Sequence, residues 1–439
     1  MTQRRKVRSR TAVLRKRSCA ALVPLLLSLS ACSSTDLPGD PVTSAGGAGA
    51  GGSPSSVPAA GSPASGGSAE IAGAAGNATV PTAGAAAGGA GGTANAAGSA
   101  GVLSAAGQGG GAVSSGGQGG SVATDPGTDG DGDVDVGPSY TKQSDLTSKG
   151  APVGKSFTFT MSSSDSQIYT GLDRTLNTPS AFTRRIDVYV PAKYEDGAAA
   201  PFLIINDGPG ALGNVKLALD NLTPATDPKH RLPTFIAIAV ANGGGDSLGS
   251  ERGLEYDTMS DRFARFVDTE VLPAVLADPK IKAAYPHFAL TKDPEGRGAL
   301  GCSSGAAAAL TMGWFSPDSF RKLVTYSGTF VNQQDTDAPE KAMYPLGAWG
   351  YHSEQSLIAN SPVKPLRIVL NANENDNGAT APASGYHNWV IANQRTAAAL
   401  KAKGYHYRYI FGKGAGHCEG KVQDATLADS LIWVWRGYP

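Results

Sequence analysis

Large apolar side chains are almost missing from residues 32–137, and this feature decides where a core can form. The segment consists almost entirely of Gly, Ala, Ser, Thr, Pro and Val, and it contains no Phe, Trp or Tyr. Burial of so little apolar surface cannot offset the entropy that ordering the chain would cost. We therefore expect a disordered tether over 32–137 and a folded domain over 138–439, about 300 residues that can enclose one large core.

Charge is distributed unevenly along the chain. The whole sequence has 37 Lys or Arg and 37 Asp or Glu. Eight of the basic residues, and none of the acidic ones, lie in residues 1–31, so the protein without this segment is net acidic. Nucleic-acid binding needs a basic surface, and we therefore expect no nucleic-acid partner.

The N-terminus has the pattern of an export signal. A strongly basic stretch precedes an apolar run that is too short to remain as a membrane-spanning helix. The run ends in Leu29-Ser-Ala-Cys32, which resembles the bacterial lipobox, whose cysteine becomes the lipidated first residue. We expect residues 1–31 to be a lipoprotein signal peptide and Cys32 to anchor the protein in the bacterial cell envelope, with plain secretion as the alternative. By the same resemblance, the serine after the cysteine favours the outer membrane.

Alternating aspartates close the proposed tether at residues 129–135. Their spacing resembles the calcium-binding loop of an EF-hand. However, Val134 stands where that loop needs glycine, and Tyr140 stands where it needs a bidentate glutamate. We expect a solvated end of the linker here, and we predict no metal site.

From about residue 150, strand-like and helix-like patterns alternate. Residues 201–205 and 234–240 are continuous apolar runs, which are typical of parallel strands covered on both faces. Helical periodicity follows at 260–276 and 304–314, and again closer to the C-terminus. This alternation predicts one α/β domain with a mostly parallel central sheet flanked by helices. Catalytic groups of such sheets collect at the carboxyl ends of the strands.

The sequence Gly-Cys-Ser-Ser-Gly at 301–305 fits the G-x-S-x-G pattern of a nucleophile elbow. It follows an expected strand and precedes an expected helix, so we predict Ser303 as the nucleophile. The sequence Gly-Asp-Ser-Leu-Gly at 245–249 also fits and contains the signature of another hydrolase superfamily. No strong helix pattern follows Ser247, and the Asp-x-x-His string of that superfamily would precede the serine. We therefore prefer Ser303.

A serine nucleophile needs a base, and histidine is the usual one. Among six histidines, His417 lies on a glycine-rich loop, 412–417, between the expected last strand and the final helix, which is where α/β-hydrolases carry theirs. The acid should follow the expected strand at 366–370. We prefer Asp376 and keep Glu374 as the alternative. The carboxylate would hold the imidazole tautomer and stabilise the imidazolium.

An oxyanion hole needs two backbone N–H donors. Ser304, the residue after the nucleophile, supplies one from the N-terminus of its helix. The second is expected in the loop 206–210, from Gly208 or Gly210, because Pro209 has no N–H. A simple type II turn remains the alternative for this loop.

Two cysteines remain after the signal peptide and the lipidation site are set aside, and each is adjacent to a predicted catalytic residue. Cys302 precedes Ser303, and Cys418 follows His417. If the alcohol and the imidazole are within hydrogen-bonding reach, the two sulfurs can meet the separation that a disulfide needs. An oxidising, exported location would preserve such a bond. We expect the disulfide, with two buried free thiols as the alternative.

Several further short segments occur in a characteristic order. They are Ile168-Tyr-Thr-Gly171, Val188-Tyr-Val-Pro191, Asp207-Gly208, Glu255-Tyr-Asp257, Asn375-Asp376 and Gly416-His417. Together with the elbow, they resemble the enterochelin-esterase-like (esterase D type) α/β-hydrolases over about the last 275 residues. The resemblance implies an α/β-hydrolase fold and a triad of Ser303, Asp376 and His417. The two cysteines depart from it, and their Cys-Ser and His-Cys arrangement resembles that of tannases and feruloyl esterases.

These observations predict an exported, lipid-anchored serine esterase. Its expected substrate is a small-molecule or glycan-linked carboxylic ester, of the siderophore or plant-wall acyl type that the family resemblance implies, and we expect no cofactor. Two alternatives stay open. One is acyl transfer to a carbohydrate acceptor, and the other is a non-catalytic domain that binds a surface.

Overall fold

This computed structural model describes residues 127–353 and 356–439. The predicted signal peptide, Cys32 and the tether up to residue 126 lie outside these residues. The strands are β1 (Gly132–Val136), β2 (Lys155–Ser162), β3 (Thr183–Val190), β4 (Ala199–Ala200), β5 (Phe202–Asn206), β6 (Ile236–Val240), β7 (Ala289–Leu290), β8 (Arg297–Cys302), β9 (Lys322–Tyr326), β10 (Arg367–Asn375) and β11 (His406–Gly416).

Helices follow most of the strands. They are α1 (Leu212–Leu222), α2 (Glu251–Tyr256), α3 (Arg262–Phe266), α4 (Leu272–Ala277), α5 (Pro279–Ala284), α6 (Ser304–Phe315), α7 (Leu357–Asn360), α8 (Trp389–Lys403) and α9 (Gly420–Trp435). A π-helical turn, Val267–Val271, joins α3 to α4 within the long helix expected at 260–276. None of the helices in the described part of the chain combines the length and the apolar run that crossing a bilayer requires.

Nine strands form one sheet in the order β1-β11-β10-β9-β8-β5-β6-β3-β2. In this spatial order, the first seven strands, from β1 through β6, pair in parallel with their neighbours. Strand β3 is antiparallel to both of its neighbours, β6 and β2. The short strands β4 and β7 pair separately. This mostly parallel sheet with helices on both faces agrees with the α/β-hydrolase fold, and it confirms the fold class predicted from the alternation of strands and helices.

Two apolar cores lie on opposite faces of the sheet. Phe202 and Ile204 of β5 belong to the first core, and Leu203 and Ile205 belong to the second, because successive side chains of a strand point to opposite faces. Helices α6 and α8 pack in the first core, and α1 and α9 pack in the second. A strand covered on both faces needs apolar side chains throughout, which explains the continuous apolar runs.

The acidic segment is part of the folded domain, and the prediction of a solvated linker end is wrong. Residues Gly132–Val136 form β1, an edge strand that pairs in parallel with β11. The valines of β1 pack against the second core, and Asp133 on the other face accepts a hydrogen bond from the Tyr407 hydroxyl at 3.0 Å. Alternation of valine and aspartate is therefore the period of a half-buried strand. The domain begins by Gly132 and not at residue 138.

Candidate active site

Ser303 lies at a sharp turn between β8 and α6. Its φ of 58° and ψ of −129° are strained for a residue with a side chain. The turn is held by the Ser303 N–H, which donates to the carbonyl oxygen of Tyr326 at 3.0 Å. A Cβ on Gly301 would lie 2.2 Å from the carbonyl oxygen of Gly305, and a Cβ on Gly305 would lie 2.6 Å from Asp207 Oδ2. Lack of space therefore explains both glycines of the elbow.

The carboxyl ends of β8, β10 and β11 bring the predicted serine, acid and histidine together. Asn375 and Gly416 are register partners in β10 and β11, so the residues that follow them leave the sheet side by side. His417 Nε2 lies 2.9 Å from Ser303 Oγ, and His417 Nδ1 lies 2.5 Å from Asp376 Oδ1. Both separations are hydrogen-bond lengths. The alcohol, the imidazole and the carboxylate therefore form one hydrogen-bonded row.

The carboxylate of this row is held from several sides. The Asp376 side chain is fully shielded from solvent, whereas that of His417 is 22% exposed. The backbone N–H groups of Asn373 and Asn377 donate to Asp376 at 3.2 and 2.9 Å. The Asn373 side-chain amide donates to the carbonyl oxygen of Gly416 at 2.6 Å. One segment therefore positions both the carboxylate and the residue before the histidine, which turns Nε2 of the imidazole toward the serine.

The two alternative residues lie elsewhere. Glu374 is exposed and accepts a hydrogen bond from the Gly414 N–H at 2.7 Å. Ser247 lies in a turn, in which its carbonyl oxygen accepts a hydrogen bond from the Ser250 N–H at 3.0 Å. Helix α2 begins only at Glu251. Of the two serines in G-x-S-x-G sequences, Ser303 lies in the strand-turn-helix geometry and within hydrogen-bond distance of a histidine.

Other histidines bind other partners. His230, His287 and His406 lie 3.0, 3.1 and 2.7 Å from aspartate oxygens. Within residues 127–353 and 356–439, no group of three or more His, Cys, Asp and Glu side chains is arranged to hold a metal ion.

The structure distinguishes between the predicted oxyanion donors. Ser304 is the first residue of α6, so its N–H has no acceptor inside the helix and lies at the positive end of the helix dipole. In contrast, the Gly208 N–H donates to the carbonyl oxygen of Val240 at 2.9 Å. This hydrogen bond occupies the only N–H of Gly208, and we correct the prediction by removing that residue. Gly210 remains the second candidate.

Two residues beside Ser303 escaped sequence reasoning. Thr329 Oγ1 lies 3.3 Å from Ser303 Oγ, and Trp389 Nε1 donates to Thr329 Oγ1 at 3.2 Å. The Trp389 ring also meets the His417 ring edge-on, with centroids 6.0 Å apart. The available signal was position, because Thr329 follows β9, which lies between the strands that carry the serine and the acid.

A buried carboxyl group, that of Asp257, lies beneath the elbow. Asp257 Oδ2 accepts hydrogen bonds from Ser304 Oγ at 3.1 Å and from Gln333 Nε2 at 3.2 Å. Burial raises the pKa of Asp257 to about 7, and burial likewise raises the pKa of Glu251 to about 7. The charge under the residue that carries the proposed oxyanion donor therefore changes near neutral pH.

A disulfide joins Cys302 to Cys418, as the sequence predicted. Their Cα atoms are 6.0 Å apart, and the two residues are separated by 116 positions in the chain. The Cys418 N–H also donates to Ser327 Oγ at 3.0 Å. Because the cysteines are the chain neighbours of Ser303 and His417, the bond connects the turn of the serine directly to the turn of the histidine.

No curated protein matches this chain. Among solved structures, the enterobactin esterase FES from Shigella flexneri with 2,3-di-hydroxy-N-benzoyl-serine is 19% identical, with a TM-score of 0.39. The match covers 58% of this chain and 55% of that chain, so this protein spans about half of the FES length.

Two further solved structures are ferulic acid esterases. One is 18% identical over 65% of this chain and 99% of its own, with a TM-score of 0.43. The other, from Anaeromyces mucronatus in complex with ferulic acid, is 11% identical over 67% and 95%, with a TM-score of 0.43. A family model described as "Putative esterase" matches residues 181–431, which is more than half of the chain. The predicted resemblance to esterases is thereby confirmed, and the chain belongs to this esterase family.

Proposed function

We propose that the folded domain is a serine esterase that hydrolyses a carboxylic ester. Ser303 Oγ attacks the carbonyl carbon of the ester while His417 Nε2 takes the hydroxyl proton. Asp376 keeps the imidazole oriented and stabilises the imidazolium that forms. The negative oxygen of the tetrahedral intermediate accepts hydrogen bonds from the Ser304 N–H and from the Gly210 N–H.

Collapse of the intermediate breaks the bond to the alcohol, which leaves with the proton from His417. The acyl group stays on Ser303 Oγ as an ester. Water then attacks this acyl-enzyme with His417 as the base, and the second collapse returns the proton to Ser303 and releases the carboxylic acid.

The observation that carries this proposal is the hydrogen-bonded row of serine, histidine and aspartate, with separations of 2.9 and 2.5 Å. Membership of the esterase family supports it. The pattern Leu29-Ser-Ala-Cys32 supports a further part of the proposal, a lipid anchor in the bacterial outer membrane. We propose a siderophore or plant-wall acyl ester, free or glycan-linked, as the class of substrate.

Active-site labelling tests the catalytic role. A fluorophosphonate probe reacts with an activated serine, so the wild-type protein should be labelled and Ser303→Ala should not. We expect Ser303→Ala to lower kcat on a panel of aryl esters by at least about a thousandfold, since little but binding and the oxyanion hole remains. Both effects are measured on folded protein, checked by circular dichroism.

Ser247→Ala is the matched control, because it removes the hydroxyl of the other G-x-S-x-G serine. It should keep both labelling and activity. A wild-type protein that resists the probe and leaves the whole ester panel intact would contradict the esterase proposal and favour a domain that only binds.

A further inference from the structure

A groove of about 340 Å³ is formed by the segment between β9 and α7, the turn at residues 383–386 before α8, and Arg395 of α8. Trp349 and Tyr386 contribute aromatic rings, Ser353 contributes a hydroxyl, and Arg395 contributes a guanidinium. No Asp or Glu is among the described residues that line it. The groove therefore combines flat apolar surface with one positive charge.

The groove is close to the nucleophile. Thr329 Oγ1 lies 3.3 Å from Ser303 Oγ, and the Asn332 N–H donates to the carbonyl oxygen of Tyr386 at 2.9 Å. Three residues of chain from Thr329 to Asn332 can span at most about 10 Å. The Tyr386 carbonyl oxygen therefore lies within roughly 20 Å of Ser303 Oγ, and the groove is close enough for one substrate to contact both.

The aromatic wall is firmly built. Trp349 is only 2% exposed and meets the Tyr386 ring edge-on, with centroids 5.5 Å apart. Tyr386 is 38% exposed and has a φ of 58°, a left-handed conformation that costs a large side chain strain. The Tyr386 ring therefore presents a partly exposed aromatic face to the groove.

Arg395 provides the charge. Its guanidinium carbon lies 5.6 Å from the centroid of the Trp349 ring, an arrangement that holds the cation over the aromatic wall. The neighbouring imidazole of His352 meets Trp349 with centroids 4.6 Å apart, but burial lowers the pKa of His352 to about 4. At neutral pH the imidazole is therefore uncharged, and among the described residues that line the groove the positive charge is that of Arg395.

A guanidinium presents a planar fork of N–H donors that matches the two oxygens of a carboxylate, and aromatic side chains pack against flat rings. We propose that this groove is a substrate subsite for a ring that bears a carboxylate, so that the enzyme prefers esters carrying such an acidic ring. The proposal deepens the proposed esterase function and rests on it.

Two pairs of esters, each differing by one carboxylate, test the subsite in the full-length protein. Phenyl acetate and 3-acetoxybenzoate place the ring on the alcohol side, and methyl benzoate and monomethyl isophthalate place it on the acyl side. In at least one pair, Arg395→Gln should lower kcat/KM for the acidic ester about tenfold, mainly through KM, and should change kcat/KM for the neutral ester less than twofold. Arg395→Lys keeps the charge but lacks the planar fork of donors, so it should retain only part of the preference.

Lys401→Gln is the control, since it removes a positive charge from the same helix but outside the groove, and it should change neither ester. If Arg395→Gln affects acidic and neutral esters equally while Ser303→Ala abolishes hydrolysis, the subsite is refuted and the esterase function stands. If the wild-type protein hydrolyses none of the esters, the subsite is tested by the binding of isophthalate, measured through tryptophan fluorescence. Binding that weakens in Arg395→Gln supports the subsite, and absence of binding overturns it.

Discussion

Four residues with a strained backbone lie at the carboxyl ends of strands of the sheet. Asp207, Ser303 and Ser327 follow directly after β5, β8 and β9, and Cys418 lies two residues after β11; all four have a positive φ, between 45° and 65°. Each such conformation costs a residue with a side chain on the order of 1–3 kcal/mol. Backbone hydrogen bonds from Asp207 to the Tyr256 hydroxyl, from Ser303 to Tyr326 and from Cys418 to Ser327, together with the disulfide, hold these turns in place. The strain therefore coincides with the edge where the serine and the histidine meet.

Asp257 should make stability depend on pH. Burial raises its pKa to about 7, above the ordinary 3.8, so between about pH 4 and 7 the folded protein holds a proton that the unfolded chain has lost. The free energy of unfolding therefore falls as pH rises through this window. Asp257→Asn removes the ionisation and keeps an oxygen that can accept from Ser304. Between pH 5 and pH 8, the free energy of unfolding of the variant should fall by about 2 to 4 kcal/mol less than that of the wild type.

Denaturant unfolding at the two pH values measures this difference. Asp318→Asn is the control, because its side chain is fully exposed, and it should follow the wild-type pH profile. Equal losses of stability in wild type and Asp257→Asn would show that Asp257 does not titrate in this range.

Among the elements, β10 and β11 are longer than their apolar patterns indicate. The expected strands end at residues 370 and 411, but the structure continues them to Asn375 and Gly416. Polar residues join the sheet because their side chains find partners on the neighbouring strand. The Asn371 side-chain amide, for example, donates to the carbonyl oxygen of Ile410 at 3.0 Å. The added residues bring Asp376 and His417 to the same level above the sheet.

The disulfide should stabilise both the domain and its active site. It connects the β8–α6 turn to the β11–α9 turn across 116 residues. Replacing both Cys302 and Cys418 by Ser should lower the free energy of unfolding by about 2 to 5 kcal/mol, since the unfolded chain is no longer constrained. We also expect a lower kcat because the two turns can then separate.

Denaturant unfolding and ester hydrolysis measure the two effects. Wild-type protein kept in reductant should approach the double variant, which serves as the check on the substitutions themselves. Stability and activity that are insensitive to both treatments would argue against this role.

Strand β1 should contribute to the stability of the domain through its inner face. Val134 packs against the second core, so Val134→Asp places a carboxylate against apolar surface and should destabilise the protein by about 1 to 3 kcal/mol. Asp135→Asn changes the exposed face of the same strand and should stay within about 0.5 kcal/mol of wild type. Thermal unfolding distinguishes the two variants. If neither substitution changed the stability, residues 132–136 would be a solvated linker and not a structural strand.

For the molecule as a whole, we propose a catalytic domain joined to a lipid anchor by a long coil. About 100 residues separate Cys32 from β1, and a glycine-rich coil of that length has a mean reach of roughly 50 to 60 Å. Such a tether would let the domain meet substrates away from the membrane surface.

Substitution of Cys32 tests the anchor. Cys32→Ala should move the protein from the membrane fraction to the soluble fraction and abolish incorporation of labelled palmitate, because the thiol that carries the lipid is gone. Hydrolysis of soluble aryl esters should be unchanged. Cys19→Ala, within the proposed signal peptide, should alter none of these. A Cys32→Ala protein that still sediments with membranes would exclude this mode of attachment.

Local pattern was sufficient to predict the fold class and the disulfide, and it selected Ser303, His417 and Asp376, which the structure places in one hydrogen-bonded row. Apolar runs report burial on both faces of a strand, and an elbow can be read within five residues because steric limits act between neighbours. The adjacency of two cysteines to two of these residues added information that spans the chain.

Only the tertiary structure decided where β1 belongs, that the N–H of Gly208 is already hydrogen-bonded, and that Thr329 and Trp389 lie beside Ser303. The Gly208 N–H is occupied by Val240, and β1 pairs with a strand some 270 residues away. Neither of these two hydrogen-bonding partners can be identified from the residues nearby in the sequence. Hydrogen-bond partners and strand register depend on distant segments that meet only when the whole sheet forms, so they belong to the tertiary structure.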